Sequence, residues 1–280
     1  MQPDRPPARG RFRSRAWLVV AFVVLVAVGV GAAGFVYFFD QSVPAAVSLG
    51  SATSPATGAG SAGAPATAVT FGSAAPASSA AGSTAAGGTS IATGAGSLDG
   101  TWTVDTSIGS FSDFTDSFVG YRVAEQLANV GATTAVGRTP KVSGTLTVSG
   151  TSITAVSITA DLTALQSDRS MRDGQLHTQA LQTDTYPTAT FVLADPIKLD
   201  HLPAESETIS VTAVGDLTLH GATKRVSIPL QAKLANGVVT VVGSLPIAFA
   251  DYSIAPPQSM MVLSVADNGT MELQLHFTKG

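Results

Sequence analysis

The sequence predicts an all-β domain over Leu98–Gly280, preceded by a membrane-spanning helix and a linker. Three observations support this division. Apolar and polar residues alternate with a period of two in the C-terminal part, which is typical of antiparallel strands. Residues 16–39 carry no charge, and residues 40–97 are dominated by Ala, Ser, Gly, Thr and Pro.

The N-terminal 39 residues have the pattern of a membrane anchor. Residues 1–15 form a basic tail, and the uncharged stretch 16–39 would span about 36 Å as a helix. Trp17 and Tyr37 lie near the ends of that stretch, where amphipathic aromatic residues prefer the membrane interface. The positive-inside rule then predicts a single-pass protein of the cell membrane, with a cytoplasmic N-terminus and an extracytoplasmic C-terminal domain. A cleaved signal peptide is the alternative, although its apolar region is normally about 7–15 residues long.

Residues 40–97 are expected to form a disordered linker. Their composition cannot bury enough apolar surface to offset the entropy of an ordered backbone. As a flexible coil, the stretch would hold its ends roughly 40 Å apart. We therefore expect it to act as a spacer between the membrane and the folded domain.

Composition excludes several classes of function. The chain has no cysteine, which excludes disulfides, thiolate metal sites and a cysteine nucleophile. From Leu98 onward, 10 Lys and Arg residues stand against 17 Asp and Glu residues. A domain with this acidic balance repels phosphate backbones, so no nucleic-acid partner is expected.

The strands of the domain are read from alternation and turn signals. Asn236-Gly237 and Asn268-Gly269 are hairpin markers, because a type I′ turn needs positive φ at both central residues. Short strands without helical crossovers indicate a β-sandwich or barrel. One helical turn is expected in Tyr121–Val130. The clearest alternating apolar faces are Met271, Leu273, Leu275 and Phe277, then Val156, Ile158, Ala160 and Leu162, and then Ile209, Val211, Ala213, Leu217 and Leu219.

The segment Gln166–Phe191 concentrates charge. Its first half holds Asp168, Arg169, Arg172, Asp173 and His177 within ten residues. Asp173 and His177 are four apart, which on a helix would bring them together and would allow a hydrolase with Ser167 or Ser170 as nucleophile. No G-x-S-x-G elbow surrounds either serine, so a structural role is favoured. The four histidines lack ligand-like spacing, so no metal site is predicted.

Three motifs in this domain resemble the YceI-like family. They are Arg172-Asp173, Tyr186-Pro187 through Phe191, and Leu217-Thr218 followed by Gly221, Thr223 and Val226, in the order and spacing of the family. Gln175-Leu176 stands where the family often has His-Leu, and no role of that histidine is transferred to His177. The resemblance implies an extended eight-stranded antiparallel barrel, similar to a lipocalin. It also implies a long apolar cavity that binds a polyisoprenoid. From the charged segment itself, no enzymatic activity is expected.

The resemblance and the alternation together predict which residues line the barrel. One parity of each strand faces inward, and eight strands enclose either packed side chains or one slender ligand. Arg172 and Asp173 are expected to form an ion pair in a loop, and a contact of Arg172 with a ligand head group is the alternative. The candidate lining residues are Leu162, Leu176, Leu181, Phe191, Leu193, Val211, Leu217, Leu219, Phe249 and Met260.

Three functions remain to be compared. The first is a membrane-tethered extracytoplasmic carrier for an isoprenoid or a similar long apolar amphiphile. The second is a cell-surface protein-interaction module whose barrel is packed and holds no lipid. The third is a hydrolase that uses Asp173 and His177. No cofactor is expected, and a homodimer is left open.

Overall fold

The computed structural model describes residues 43–52, 98–128, 130–258 and 262–280. Within these ranges the chain forms one antiparallel sheet of thirteen strands and a few short helices. The strands are β1 (Gly100–Val104), β2 (Phe118–Leu127), β3 (Gly131–Thr139), β4 (Val142–Ser149), β5 (Ser152–Asp161), β6 (Gln166–Ser167), β7 (Thr188–Leu193), β8 (Ile197–Lys198), β9 (Thr208–Leu219), β10 (Ala222–Ala235), β11 (Val238–Ala248), β12 (Val262–Val265) and β13 (Asn268–Lys279). The helical segments are Leu49–Ala52, Phe111–Asp113, Leu162–Ala164, Ser170–Gln175, Leu176–Ala180 and Phe249–Tyr252.

Eight of these strands close into a barrel. Their order is β1-β4-β5-β7-β9-β10-β11-β13, and β13 pairs back with β1. The predicted eight-stranded antiparallel barrel is therefore confirmed. The other half of β13, Thr270–Gln274, pairs with β2, and β3 and β6 continue the sheet from there. These three strands form the wall at the end of the barrel where β13 begins.

The described residues of the stretch Tyr121–Val130 do not form the helical turn that was expected. Phe118–Leu127 is strand β2, which pairs with β3 along its length and with β12 and β13 on its other side. Its alternate residues Val119, Tyr121 and Val123 face the interior. Pairing on both sides satisfies the backbone hydrogen bonds of the strand, and this tertiary effect outweighs the local helical preference.

One of the two expected Asn-Gly hairpins forms. Asn236 and Gly237 have φ values of 51° and 76° and connect β10 to β11, as predicted. Asn268-Gly269 instead lies inside β13, opposite Ala248 and Ile247, so that prediction is wrong. A Cβ at Gly269 would stand 2.8 Å from Cγ2 of Val123. Glycine is therefore required here for close packing rather than for a turn.

The polar residues of β13 are buried, although the alternation predicted that they would face water. Glu272, Gln274 and His276 lie on the outer face of the barrel and are each at most 2% exposed. The segment 105–117 covers Gln274 and His276. Gln274 Nε2 donates to the carbonyl of Asp116 at 2.8 Å, and His276 Nε2 donates to the carbonyl of Thr115 at 2.8 Å. The backbone of the covering segment thus satisfies the polar groups of Gln274 and His276, whereas Glu272 pairs with Arg122 and Arg138.

Asp116 in this covering segment is a buried carboxyl group with an unsatisfied oxygen. It is 4% exposed, and its Oδ1 has no hydrogen-bond partner among the described residues. Burial raises the pKa of this carboxyl to about 6. The unfolded chain releases the same proton near pH 4. Between these values the folded protein therefore binds more protons than the unfolded chain, and the Asp116 contribution to stability falls as the pH rises.

Asp116→Asn should remove this penalty. At pH 7 we expect the free energy of unfolding of the variant to be about 1–3 kcal/mol higher than that of the wild type. Below about pH 3 the two proteins should be equally stable, because Asp116 is then largely protonated in both states. Urea unfolding of a protein comprising residues 43–280 measures this difference. Burial lowers the pKa of His276, so the contribution of His276 to stability rises with pH. This contribution is the same in both proteins and cancels in the difference between them. A difference independent of pH would contradict the prediction.

Residues 43–52 fall inside the range 40–97, for which the sequence predicts a disordered linker. In the structure, Leu49–Ala52 is one helical turn, and Leu49 and Ala52 pack with Val242 on the outer face of β11. The backbone N–H of Val47 donates to Glu272 Oε1 at 3.4 Å. This part of the predicted linker therefore packs against the barrel.

The predicted membrane span, residues 16–39, lies outside the described residues. Within the ranges that are described, no helix is both long enough and apolar enough to cross a membrane.

Candidate functional site

The barrel encloses two adjoining apolar cavities. The first has a volume of about 150 Å³ and the second of about 140 Å³. Four wall residues belong to both cavities, so the two spaces adjoin at these side chains: Val119, Ala189, Leu217 and Met271.

The first cavity lies toward the end of the barrel where β13 finishes. Its wall is almost entirely aliphatic and aromatic, from Trp102 on β1 to Phe277 on β13, with Thr190 and Lys233 as exceptions. Small residues create the space. Ala160 of β5 pairs directly with Ala189 of β7, and Ala213 lies on the next strand, β9. A cavity with this lining favours an apolar occupant over water.

The second cavity lies at the opposite end, where β13 begins. The helical segment 170–180 contributes Arg172, Leu176 and Ala180 to its wall, and Leu181 follows them. Pro256 and Pro257 belong to the same wall. Unlike the first cavity, this one has side chains of both charges, Glu125 and Arg172, on its wall.

Arg172 forms the centre of a charged cluster at the second cavity. Its Nη2 lies 2.5 Å from Oε1 of Glu125, and its Nη1 donates to Asp168. Asp173 does not pair with Arg172. It accepts hydrogen bonds from the backbone N–H and Oγ of Ser167 at 2.9 and 2.7 Å. The predicted Arg172–Asp173 ion pair is therefore wrong, because neighbouring residues on a helix point in different directions whereas residues four apart meet.

His177 is held by uncharged partners. Its Nε2 donates to the carbonyl of Leu165 at 3.0 Å, and its Nδ1 lies 3.2 Å from Oγ1 of Thr183. The hydrogen bonds of Asp173 go to Ser167, so the acid–base pair of the hydrolase hypothesis is not assembled. In the part of the chain that the structure describes, no three metal-ligating side chains come together.

The structure places most of the candidate lining residues at the cavities. Leu193 lines neither cavity, because β7 ends there and β8 takes over the pairing with β5, which brings Ile197 to the wall. Met260 lies outside the described residues. Phe191 and Val211 line the first cavity, Leu217 lines both, and Leu162, Leu176, Leu181, Leu219 and Phe249 line the second.

Several wall residues were not predicted from the sequence, among them three polar or aromatic side chains. Trp102 lies on the wall of the first cavity, and Tyr121 and Glu125 lie on that of the second. The last two occupy alternate positions of β2, so the period-two pattern was a usable signal. This signal was missed because the stretch Tyr121–Val130 also fits one helical turn.

The chain is similar to several solved structures. A polyisoprenoid binding domain from Saccharophagus degradans is 18% identical, over 64% of this chain and 98% of that one, with a TM-score of 0.48. BcnA from Burkholderia cenocepacia is 23% identical, over 62% and 98%, with a TM-score of 0.46. The YCEI protein of Campylobacter jejuni is 14% identical, over 55% and 88%, with a TM-score of 0.43. No curated protein matches the chain.

The model of one protein family covers most of the folded domain. The YceI-like domain matches residues 102–277, which is more than half of the chain. The match runs from Trp102 in β1 to Phe277 in β13 and so includes part or all of every barrel strand. It also includes the three motifs on which the resemblance was based. The chain belongs to the YceI-like family.

Proposed function

We propose that the barrel binds the apolar chain of an isoprenoid or of a similar long amphiphile. The adjoining apolar cavities carry this proposal. An apolar chain that leaves water gains about 0.8 kcal/mol for each buried methylene group. The cavity wall is almost free of polar groups, and a hydrocarbon ligand has none. Binding therefore leaves few hydrogen-bonding groups buried without a partner.

The two cavities together suit a long, slender ligand. Tyr121 pairs with Met271 on β13, and Trp102 pairs with Lys279 near the end of the same strand. These two positions lie about 26 Å apart along β13, at about 3.3 Å per residue. A flexible hydrocarbon chain fits this shape better than a compact ligand does.

We further propose that the protein is a carrier tethered to the outer face of the cell membrane. The arginine-rich tail and the uncharged stretch 16–39 support a single-pass anchor with its N-terminus in the cytoplasm. The barrel would then lie on the extracytoplasmic side. The competing hypothesis, an interaction module with a packed barrel, is less favoured because alanine occupies inward positions on three neighbouring strands.

Extraction of bound lipid tests both parts of the proposal. The full chain should be found in the membrane fraction of its native host. After purification, organic extraction and mass spectrometry should recover about one long apolar lipid per chain. An unrelated single-pass protein purified in the same detergent is the control. Recovery of no lipid above that control would overturn the binding proposal, and recovery of the chain in the soluble fraction would overturn the tether.

A further inference from the structure

The polar end of the second cavity indicates which head group the ligand carries. Tyr121, Glu125 and Arg172 lie on the wall there, whereas the first cavity is almost wholly apolar. An amphiphile that places its tail in the first cavity therefore brings its head to these three side chains.

Tyr121 has a hydroxyl group that lacks a partner. Its Oη is shielded from solvent and has no hydrogen-bond partner among the described residues. A buried hydroxyl in this state costs about 1–3 kcal/mol. The ring packs closely against the backbone of Gly137, where a Cβ would stand 2.4 Å from Cε1 of Tyr121. Burial raises the pKa of Tyr121, so the hydroxyl stays protonated and can donate a hydrogen bond.

Arg172 cannot play the same role for an anionic head group. Its guanidinium already binds Glu125 and Asp168. Arg169 pairs with Asp168 from the solvent side at 3.5 Å, and Asp173 adds a third carboxylate. The cluster thus contains two cationic and three anionic side chains, and a phosphate placed beside it would meet excess negative charge.

We propose that this end of the barrel selects a neutral head group with an oxygen acceptor, such as the hydroxyl of an alcohol, which receives a hydrogen bond from Tyr121, and that it disfavours phosphate-headed isoprenoids. This inference rests on the proposed function, since it concerns the same ligand. It makes Tyr121 a specificity-determining residue and leaves Arg172 in a structural ion pair.

Two lipids with identical tails test the inference. The full chain in detergent is equilibrated with equal amounts of geranylgeraniol and geranylgeranyl phosphate, freed of unbound lipid, and extracted for mass spectrometry. We expect the wild type to retain at least about 10-fold more alcohol than phosphate. Tyr121→Phe should lower the amount of alcohol retained by about 3- to 10-fold, the effect expected from the loss of one hydrogen bond. The amount of phosphate lipid retained should not change.

Tyr186→Phe is the matched control, because Tyr186 packs against His220 and does not line either cavity. It should retain both lipids as the wild type does. Equal or greater retention of the phosphate, or no effect of Tyr121→Phe, would overturn the inference while leaving lipid binding intact. Retention of neither lipid above the level in empty micelles would overturn the proposed function and this inference together.

Discussion

Glu272→Ala is expected to lower the free energy of unfolding by about 3–5 kcal/mol. Glu272 is 1% exposed on the outer face of β13. Its carboxylate lies 2.6 Å from Nε of Arg122 and 3.5 Å from Nη2 of Arg138. Removal of the carboxylate would take the shared counter-charge from two guanidinium groups that are largely withdrawn from water.

The loss should also loosen the covering segment. The guanidinium of Arg138 lies 4.3 Å from the ring centroids of both Phe114 and Phe118, so Arg138 links segment 105–117 to the barrel. Burial lowers the pKa of Arg138, and Glu272 opposes that effect by stabilising the charged form. We therefore expect the substitution to expose β13 at the position where it pairs with β2.

Urea unfolding of a protein comprising residues 43–280 measures the effect. Asp216→Ala is the matched control, because it also removes a carboxylate from an arginine pair. Asp216 lies 2.8 Å from Arg225, but both side chains are exposed, and we expect a loss below about 1 kcal/mol. A similarly small loss for Glu272→Ala would mean that its ion pairs contribute little to stability.

Ala189→Phe is expected to abolish binding of a long apolar chain. Ala189 is a wall residue of both cavities and pairs with Ala160 across β5 and β7. A phenyl group at this position would occupy the space where the cavities meet. Because barrel walls are closely packed and move little, we expect the amount of lipid retained per chain to fall by at least about 10-fold.

The same extraction and mass spectrometry measure this loss. Ala124→Phe is the control, because Ala124 is exposed on the outer face of β2 and should retain lipid as the wild type does. Thermal unfolding identifies any effect of the larger side chain on the fold, since overpacking costs about 1–3 kcal/mol. Full retention of lipid by a folded Ala189→Phe protein would show that the ligand does not pass the junction of the cavities.

The strands with regular alternation could be predicted from the sequence. Alternate residues of β9 and β13 line the cavities as the pattern indicated, because a pleated strand necessarily sends successive side chains to opposite faces. The hairpin at Asn236-Gly237 could also be predicted, because it depends only on the positive φ that these two adjacent residues adopt. The closure into eight strands came from the resemblance to a family, not from alternation, because the pattern alone also fits a sandwich.

The candidate site could be predicted only in part. The apolar wall followed from the parity of the strands, but the polar end did not. Tyr121 and Glu125 reach the second cavity only because β2 pairs with β13, which is about 150 residues further along the chain. Likewise, Arg172 finds Glu125 across the fold, whereas local spacing indicated Asp173.

By itself, the sequence determined the β character of the domain, the inward parity of its strands and its membership of a barrel-forming family. All three depend on residues close together in the chain or on a recognisable motif. Only the tertiary structure decided which polar groups are buried and what they contact. Gln274 and His276 of β13 are buried because segment 105–117 folds over them, and helical Arg172 pairs with a carboxylate of strand β2. Burial and charge pairing depend on residues brought together by chain closure, and local sequence patterns do not contain that information.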